Sequence, residues 1–340
     1  MHTPEETKVH VGFAELLDLA AEKVGGRALL ANDEFFAPKE NLLKPGRGVF
    51  IPDKFTEFGK WMDGWETRRR RTSGFDWCIV QLGLPGVIRG LDVDTNHFLG
   101  NFPEHCSLDA AEVEGALAPE KLAQDASKWT ELLPRTKLQG GSRNLFAISS
   151  ERRWTHVRLN IYPDGGVARL RVHGEVKPDV ATLRAYASID LAAAQHGGTV
   201  AAANDAFFGP KDNLLLPGRA ATMGEGWETR RKRVPGFDWI VVKLAVPGSL
   251  QKIEVDTNHF KGNYPESCSL EGLYSKEPFI DFVNQQNLPW KEILPRTPLQ
   301  AHTQHFFDKE IRAAGPFTHV RLNIFPDGGV SRLRLHGTPE

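Results

Sequence analysis

The chain has 340 residues, 40 % of them hydrophobic, with 42 Lys and Arg against 43 Asp and Glu for a net charge of −1. That apolar share is enough to build cores and excludes a disordered chain. The balanced charge argues against a nucleic-acid binder, which needs surplus cations to neutralise phosphates.

Residues 1–17 read as an N-terminal extension. Met1 to Val11 is polar and acidic and lacks the basic start and apolar stretch of a signal peptide. No window reaches the roughly 18 apolar residues of a membrane-spanning helix. Three scattered cysteines, Cys78, Cys106 and Cys268, form neither a disulfide framework nor a zinc motif. Together these predict a cytoplasmic protein with no membrane partner.

Ala14 to Lys23 is the first of three short helix candidates, with Pro119 to Trp129 and Pro278 to Gln286. Asn32-Asp33, followed by Phe35, Phe36 and Pro38, reads as a polar loop. It is either a turn anchored by phenylalanines or a loop that holds a structural cation. In Gly64-Trp-Glu-Thr-Arg-Arg, Glu66 and Arg68 share one side of an extended segment. Trp77 to Leu82 predicts one strand and Ile88 to Asn96 another. If Leu91 and Val93 face inward, then Asp92, Asp94 and Asn96 face outward and His97 ends the strand. Asp, Asn and His together offer a base, an amide and a proton shuttle, or metal ligands. They equally make a tight polar turn.

Thr155 to Ile161 alternates cleanly: Val157, Leu159 and Ile161 on one face, His156, Arg158 and Asn160 on the other. Pro163-Asp-Gly-Gly reads as a turn, and Val167 to Val172 as the returning partner strand. That hairpin would lay Arg169, Arg171 and His173 beside the first triplet.

The chain is a duplication. Asn32-Asp-Glu-Phe-Phe recurs as Asn204-Asp-Ala-Phe-Phe, Gly64-Trp-Glu-Thr-Arg recurs from Gly226, Val93-Asp-Thr-Asn-His-Phe from Val255, and Thr155-His-Val-Arg-Leu-Asn-Ile from Thr318. Asn32 to Gly64 spans 32 positions and Asn204 to Gly226 spans 22, so the first copy is ten residues longer there, near Phe50 to Lys60. The expected organisation is a first β-domain over 18–175 and a second over 176–340. Short strands and abundant turn signals, with no alternating strand–helix rhythm, favour antiparallel sandwiches.

The paired Gly-Trp-Glu-Thr-Arg-Arg, Val-Asp-Thr-Asn-His-Phe-x-Gly-Asn-x-Pro-Glu and Thr-His-Val-Arg-Leu-Asn-Ile-x-Pro-Asp-Gly-Gly motifs closely resemble the allantoicase family, from about Phe13 to Gly337. The resemblance implies a mainly β fold of two tandem jelly-roll sandwiches of the galactose-binding-like type, with few short helices. It implies hydrolysis of allantoate to ureidoglycolate and urea in allantoin (purine) degradation, and a homo-oligomer. A divalent metal such as manganese is associated with some members; no metal ligand is assigned here.

Allantoate carries one carboxylate and two ureido groups on a single carbon, and the repeated residues suit it. Arg68 and Arg158, with their copies Arg230 and Arg321, are candidate carboxylate forks. Asn96, Asn160, Asn258 and Asn323 are candidate partners for the ureido groups. Glu66, Asp94, Glu228 and Asp256 are candidate bases, and His97, His156, His259 and His319 candidate acids. The competing readings are a non-catalytic small-ligand or carbohydrate-binding sandwich and a related ureido-compound hydrolase. Two sites, one shared site, or one retained site with a structural copy all fit the sequence.

Overall fold

The structure, a computed structural model, describes residues 12–115, 117–277, 280–285 and 287–340. The chain divides into two compact units between Lys177 and Pro178. Each is a mainly β sandwich of antiparallel strands with a few short helical turns.

Each unit is organised around one 19-residue strand, Asp76–Asp94 in the first and Asp238–Asp256 in the second. Sequence reasoning reads the first of these as two strands, Trp77 to Leu82 and Ile88 to Asn96. The strand instead runs through Pro85-Gly86 and changes partners there. Its first half pairs with Arg27–Ala31 and Trp154–Tyr162. Its second half pairs with Arg143–Ala147 and Arg169–Val176. The ladder slips register beside Gly86, so a residue without an N–H is tolerated. Gly86 must stay small, since a Cβ there would lie 2.2 Å from the Glu175 carbonyl oxygen. The second unit repeats the device at Gly248, where a Cβ would lie 2.7 Å from the Thr338 carbonyl oxygen.

Both halves of the long strand contribute to one core. Cys78, Val80 and Leu82 from the first half and Leu91 and Val93 from the second are buried with Val157, Leu159, Ile161, Leu170 and Val172. The period-two alternation of these residues is what turns each strand's apolar face to that core.

The Pro163-Asp-Gly-Gly segment does not form the expected hairpin. Trp154–Tyr162 pairs with the first half of the long strand and with His105–Ala111, whereas Arg169–Val176 pairs with the second half. The segment carries the chain from one set of strands to the other, and Gly166 and Val167 pair with Glu66 and Trp65 on the way. Arg169, Arg171 and His173 therefore do not lie beside His156, Arg158 and Asn160.

Of the helix candidates, Pro119–Gln124 is an α-helix with proline at its start, continued by a 3₁₀ turn at Ala126–Lys128. Ala14 to Lys23 is not one helix: its ends fall in the 3₁₀ turns Gly12–Glu15 and Glu22–Val24, and its middle is extended. Leu17 and Asp18 pair with Gly174 and His173, and the Asp18 carboxylate accepts from the Ala20 and Val172 N–H groups. That local competition for backbone donors holds Leu17–Asp18 extended, and it folds the described part of the N-terminal extension onto the first unit. Pro278, Phe279 and Gln286 of the third candidate lie outside the described residues. Its Phe282–Asn284 portion is a turn, closed by the Asp281 carboxylate accepting from the Val283 and Asn284 N–H groups.

Candidate active site

His156, Arg158 and Asn160 project from one face of Trp154–Tyr162, as the alternation predicts. The face is not a wet outer surface. Ile79, Ala111 and Leu122 form a buried apolar cluster there, with Trp77 and Trp129 packed against it, and His156 and Asn160 are buried. Arg158 lies 4.7 Å from the Trp129 ring centre and donates from Nε and Nη2 to Asp109 Oδ2 at 3.1 and 2.9 Å. Asn160 Nδ2 donates to the same oxygen at 2.8 Å and to Ser107 Oγ at 2.9 Å. The second unit repeats the arrangement. Arg321 donates to Glu271 Oε2 at 2.9 and 2.6 Å beneath Trp290, and Asn323 Nδ2 donates to that oxygen at 2.9 Å. Each guanidinium already holds a carboxylate from the neighbouring strand.

Burial holds the His156 imidazole below its ordinary pKa. His319 is pushed lower, to about 4, by burial and then by the nearby Lys243 charge. Both are neutral at pH 7 and bonded at Nδ1 to the preceding threonine hydroxyl at 2.9 Å.

The Asp-Thr-Asn-His segment ends the long strand in a tight turn. Asp94 receives Arg47 through two hydrogen bonds of 2.8 and 2.9 Å and the Asn96 N–H at 2.9 Å. Asn96 Nδ2 donates to the Gly48 carbonyl at 2.9 Å, and His97 Nε2 lies 3.1 Å from the same oxygen. A carbonyl only accepts, so Nε2 carries the hydrogen and Nδ1 is left open. His97 sits at φ 68°, an uncommon conformation for a residue with a side chain. In the second unit Asp256 receives Arg219, Asn258 and His259 both bond the Ala220 carbonyl, and His259 has φ 70°.

Glu66 follows Trp65, which is fully buried and anchored by its Nε1–H to the Asp33 carbonyl at 2.8 Å. The Glu66 side chain lines a cleft of about 380 Å³ together with Phe36, Phe50, Phe58, Lys60, Met62, His97, Leu99 and Asn101. That volume lies within the roughly 300–1,000 Å³ range of small-molecule sites. Asn101 Nδ2 donates to Glu66 Oε1 at 2.7 Å. Burial raises the Glu66 pKa, and the Asn101 hydrogen bond opposes it. The Phe50 ring stacks on His97 with centroids 5.6 Å apart. Of the expected residues, this cleft gathers Glu66 and His97. Asp94 and Asn96 shape the turn that carries His97. Arg68 points to Asp33, with its Nε 2.6 Å from Oδ2, and its guanidinium lies 5.2 Å from the Phe35 ring centre. Asp33 also accepts the Phe35 and Arg68 N–H groups, so the Asn32-Asp33 loop is a turn closed by an ion pair.

The second unit has a cleft of about 560 Å³ around Phe208, Glu228, Gly262 and Asn263, the counterparts of Phe36, Glu66, Gly100 and Asn101. Asn263 Nδ2 donates to Glu228 Oε1 at 2.6 Å. Arg230 stands 3.7 Å from Asp205, the counterpart of the Arg68–Asp33 pair. The surroundings differ. The longer first-copy segment forms a small hairpin, Phe55–Thr56 against Gly59–Lys60, and Phe50, Phe58, Gly59 and Lys60 wall its cleft. The second cleft lacks that hairpin and carries Glu228, Glu266 and Asp327 with a single Arg231. Glu266 is paired with Arg296 at 2.8 Å, and Glu266 and Asp327 have counterparts in Glu104 and Asp164 of the first unit, so the hairpin is what sets the two clefts apart.

A divalent ion does not fit the Asp94–Asn96–His97 turn. Arg47 already neutralises the Asp94 carboxylate, and His97 Nε2 is committed to a backbone carbonyl. Among the described residues no three His, Cys, Asp or Glu side chains are gathered to hold a metal. Sequence reasoning missed Asn101 and Asn263, although both stand in the repeated Gly-Asn-x-Pro-Glu segment, and it missed Lys60, which has no counterpart to flag it.

The comparisons with known proteins bear on the whole chain. The family model described as the allantoicase repeat matches twice, over residues 17–177 and 189–340. The chain is 50 % identical to a probable allantoicase 1 of Burkholderia mallei, covering 99 % of this chain and 97 % of that protein. It is 49 % identical to a probable allantoicase of Pseudomonas aeruginosa, covering 97 % and 98 %. The crystal structure of allantoicase from Saccharomyces cerevisiae superposes with a TM-score of 0.78 at 34 % identity, covering 98 % of both chains.

Proposed function

The chain belongs to the allantoicase family and hydrolyses allantoate to ureidoglycolate and urea, and we propose that the first unit's cleft around Glu66 and His97 is where it does so. The observation that carries this reading is the convergence of these two residues, 31 positions apart in sequence, on one small cleft whose carboxylate is held by Asn101.

The reaction joins a water oxygen to the central carbon, breaks one carbon–nitrogen bond and places a proton on the departing urea nitrogen. Glu66 takes the proton from the attacking water. Burial makes it a stronger base than an open carboxylate, and Asn101 fixes Oε1 so that Oε2 faces the reactants. His97, oriented through its Nε2–H to Gly48, takes up that proton at its open Nδ1 and passes it to the leaving nitrogen. Each such proton transfer contributes about 10²–10⁴-fold. Phe36, Phe50 and Phe58 give the cleft an apolar wall.

In this reading Arg158 and Arg321 are struts rather than clamps: each ties its neighbouring strand to the polar face of the sheet through Asp109 or Glu271. The protein acts in the cytoplasm, which suits three buried free thiols; burial pushes Cys106 and Cys268 up to about 12. It works as a homo-oligomer, with exposed aromatics such as Phe55, Phe207 and Phe306 supplying apolar surface to cover. Incubation with allantoate, with urea and ureidoglycolate measured together, tests the activity. Unchanged allantoate would contradict it.

A further inference from the structure

Allantoate is an anion, and a cleft that recognises it needs a cation not already neutralised by the protein. The arginines near the strand ends do not qualify. Arg47 is paired with Asp94, Arg68 with Asp33, Arg158 with Asp109 and Arg169 with Asp63. The walls of the first cleft carry one lysine and no arginine. We propose that Lys60 binds the substrate carboxylate, and that the ten-residue longer segment bearing it confines recognition of the anion to the first unit. The proposal rests on the reading that the first cleft is the reaction site.

Three observations support it. Among the described residues Lys60 makes no ion pair, and Glu66, the one carboxylate on the cleft wall, is bonded to Asn101 instead. The Lys60 ammonium lies 4.5 Å from the Phe55 ring centre and 5.1 Å from that of Phe50. Aromatic faces hold a cation in place without cancelling its charge, so the ammonium is oriented and still free for an anion. Lys60 also closes the hairpin through its pairing with Phe55, so the side chain is carried on a defined strand rather than a loose tip. The second unit lacks this hairpin and has no counterpart of Lys60.

Lys60 shares one cleft with Glu66 and His97, so an anion held there is within the same small site as the base and the acid. The hairpin is thus a specificity element: it selects ureido compounds that carry an anion on the same carbon.

Steady-state urea release tests this with Lys60→Met, Lys60→Arg, Lys54→Met and Glu66→Gln, using allantoate and its neutral carboxamide analogue. Lys60→Met is expected to raise KM for allantoate about ten- to hundred-fold, the worth of a charge-assisted hydrogen bond, with kcat within a few-fold. It leaves KM for the carboxamide unchanged, and Lys60→Arg recovers most of the loss. Lys54→Met removes a cation from the same segment but not from the cleft, and leaves KM alone. An unchanged KM in Lys60→Met, an equal loss with the carboxamide, or an equal loss in Lys54→Met overturns the proposal. If Glu66→Gln loses kcat while Lys60→Met keeps its KM, only the role of Lys60 falls. If Glu66→Gln keeps full kcat, the cleft reading falls and the proposal with it.

Discussion

Asn101 donates a 2.7 Å hydrogen bond to Glu66, and the second unit repeats the pair with Asn263 and Glu228 at 2.6 Å. The duplication has kept this pair in both clefts and changed what surrounds it. In the first unit a hairpin adds Phe50, Phe58 and Lys60, from a segment that the second unit lacks. The same carboxylate–amide pair therefore stands beside a lysine-bearing hairpin in one copy and without it in the other.

Asn101→Ala should move the pH profile in a known direction. Its hydrogen bond favours the ionised carboxylate, so removing it raises the Glu66 pKa further. A base works above its pKa, so the acidic limb of kcat/KM shifts to higher pH. At pH 7 the rate falls by about two- to ten-fold, the net worth of one hydrogen bond. A pH–rate profile of the variant beside wild type checks this, and an unmoved acidic limb contradicts it.

Arg158→Met should cost stability rather than catalysis. Side-chain exposures of 20 % for Arg158 and 14 % for Asp109 place the pair mostly out of water. Loss of the arginine leaves the Asp109 charge unpaired, at a cost of about 1–3 kcal/mol to the first unit. Arg158→Met with Asp109→Leu recovers part of that cost. Denaturant unfolding and urea-release kinetics on the same samples separate the roles. A hundred-fold fall in kcat/KM with unchanged stability would make Arg158 a substrate clamp after all.

Acidification should weaken the second unit through His319. Its folded pKa of about 4 lies below the unfolded value of about 6.5. Below pH 6.5 the unfolded chain takes up a proton that the folded site refuses, so stability falls as pH drops from about 6.5 towards 4. At pH 5 the loss from this one residue is at most about 2 kcal/mol. His319→Gln should flatten that slope. Denaturant midpoints at pH 7 and pH 5 for both proteins check it, and equal slopes contradict it.

Local pattern made much of the fold readable. The alternation of Thr155 to Ile161 put Val157, Leu159 and Ile161 in the core and the polar triplet opposite, and the duplicated motifs revealed two mainly β domains. The long strand escaped notice because only its partner strands show that the chain runs on through Pro85-Gly86. Pro163-Asp-Gly-Gly misled for a similar reason: a turn sequence says that the chain reverses, not which strand it meets next. At the candidate site, Glu66 and His97 stood out because both recur. Asn101 recurs too, yet its link to Glu66 spans 35 positions and no periodicity reports it. The partners of Arg158 and Arg321 escaped notice because they stand at equivalent positions but differ in type, Asp109 in one copy and Glu271 in the other. Lys60 belongs to the segment that has no copy, where comparison between the repeats is silent.

The most direct measurement is urea release from allantoate by wild type, Glu66→Gln and Glu228→Gln under identical conditions. A first-unit site predicts that Glu66→Gln loses about 10²–10⁴-fold in kcat while Glu228→Gln stays within a few-fold of wild type. Equal losses in the two variants, or full activity in Glu66→Gln, would contradict the assignment of the reaction to the first unit's cleft.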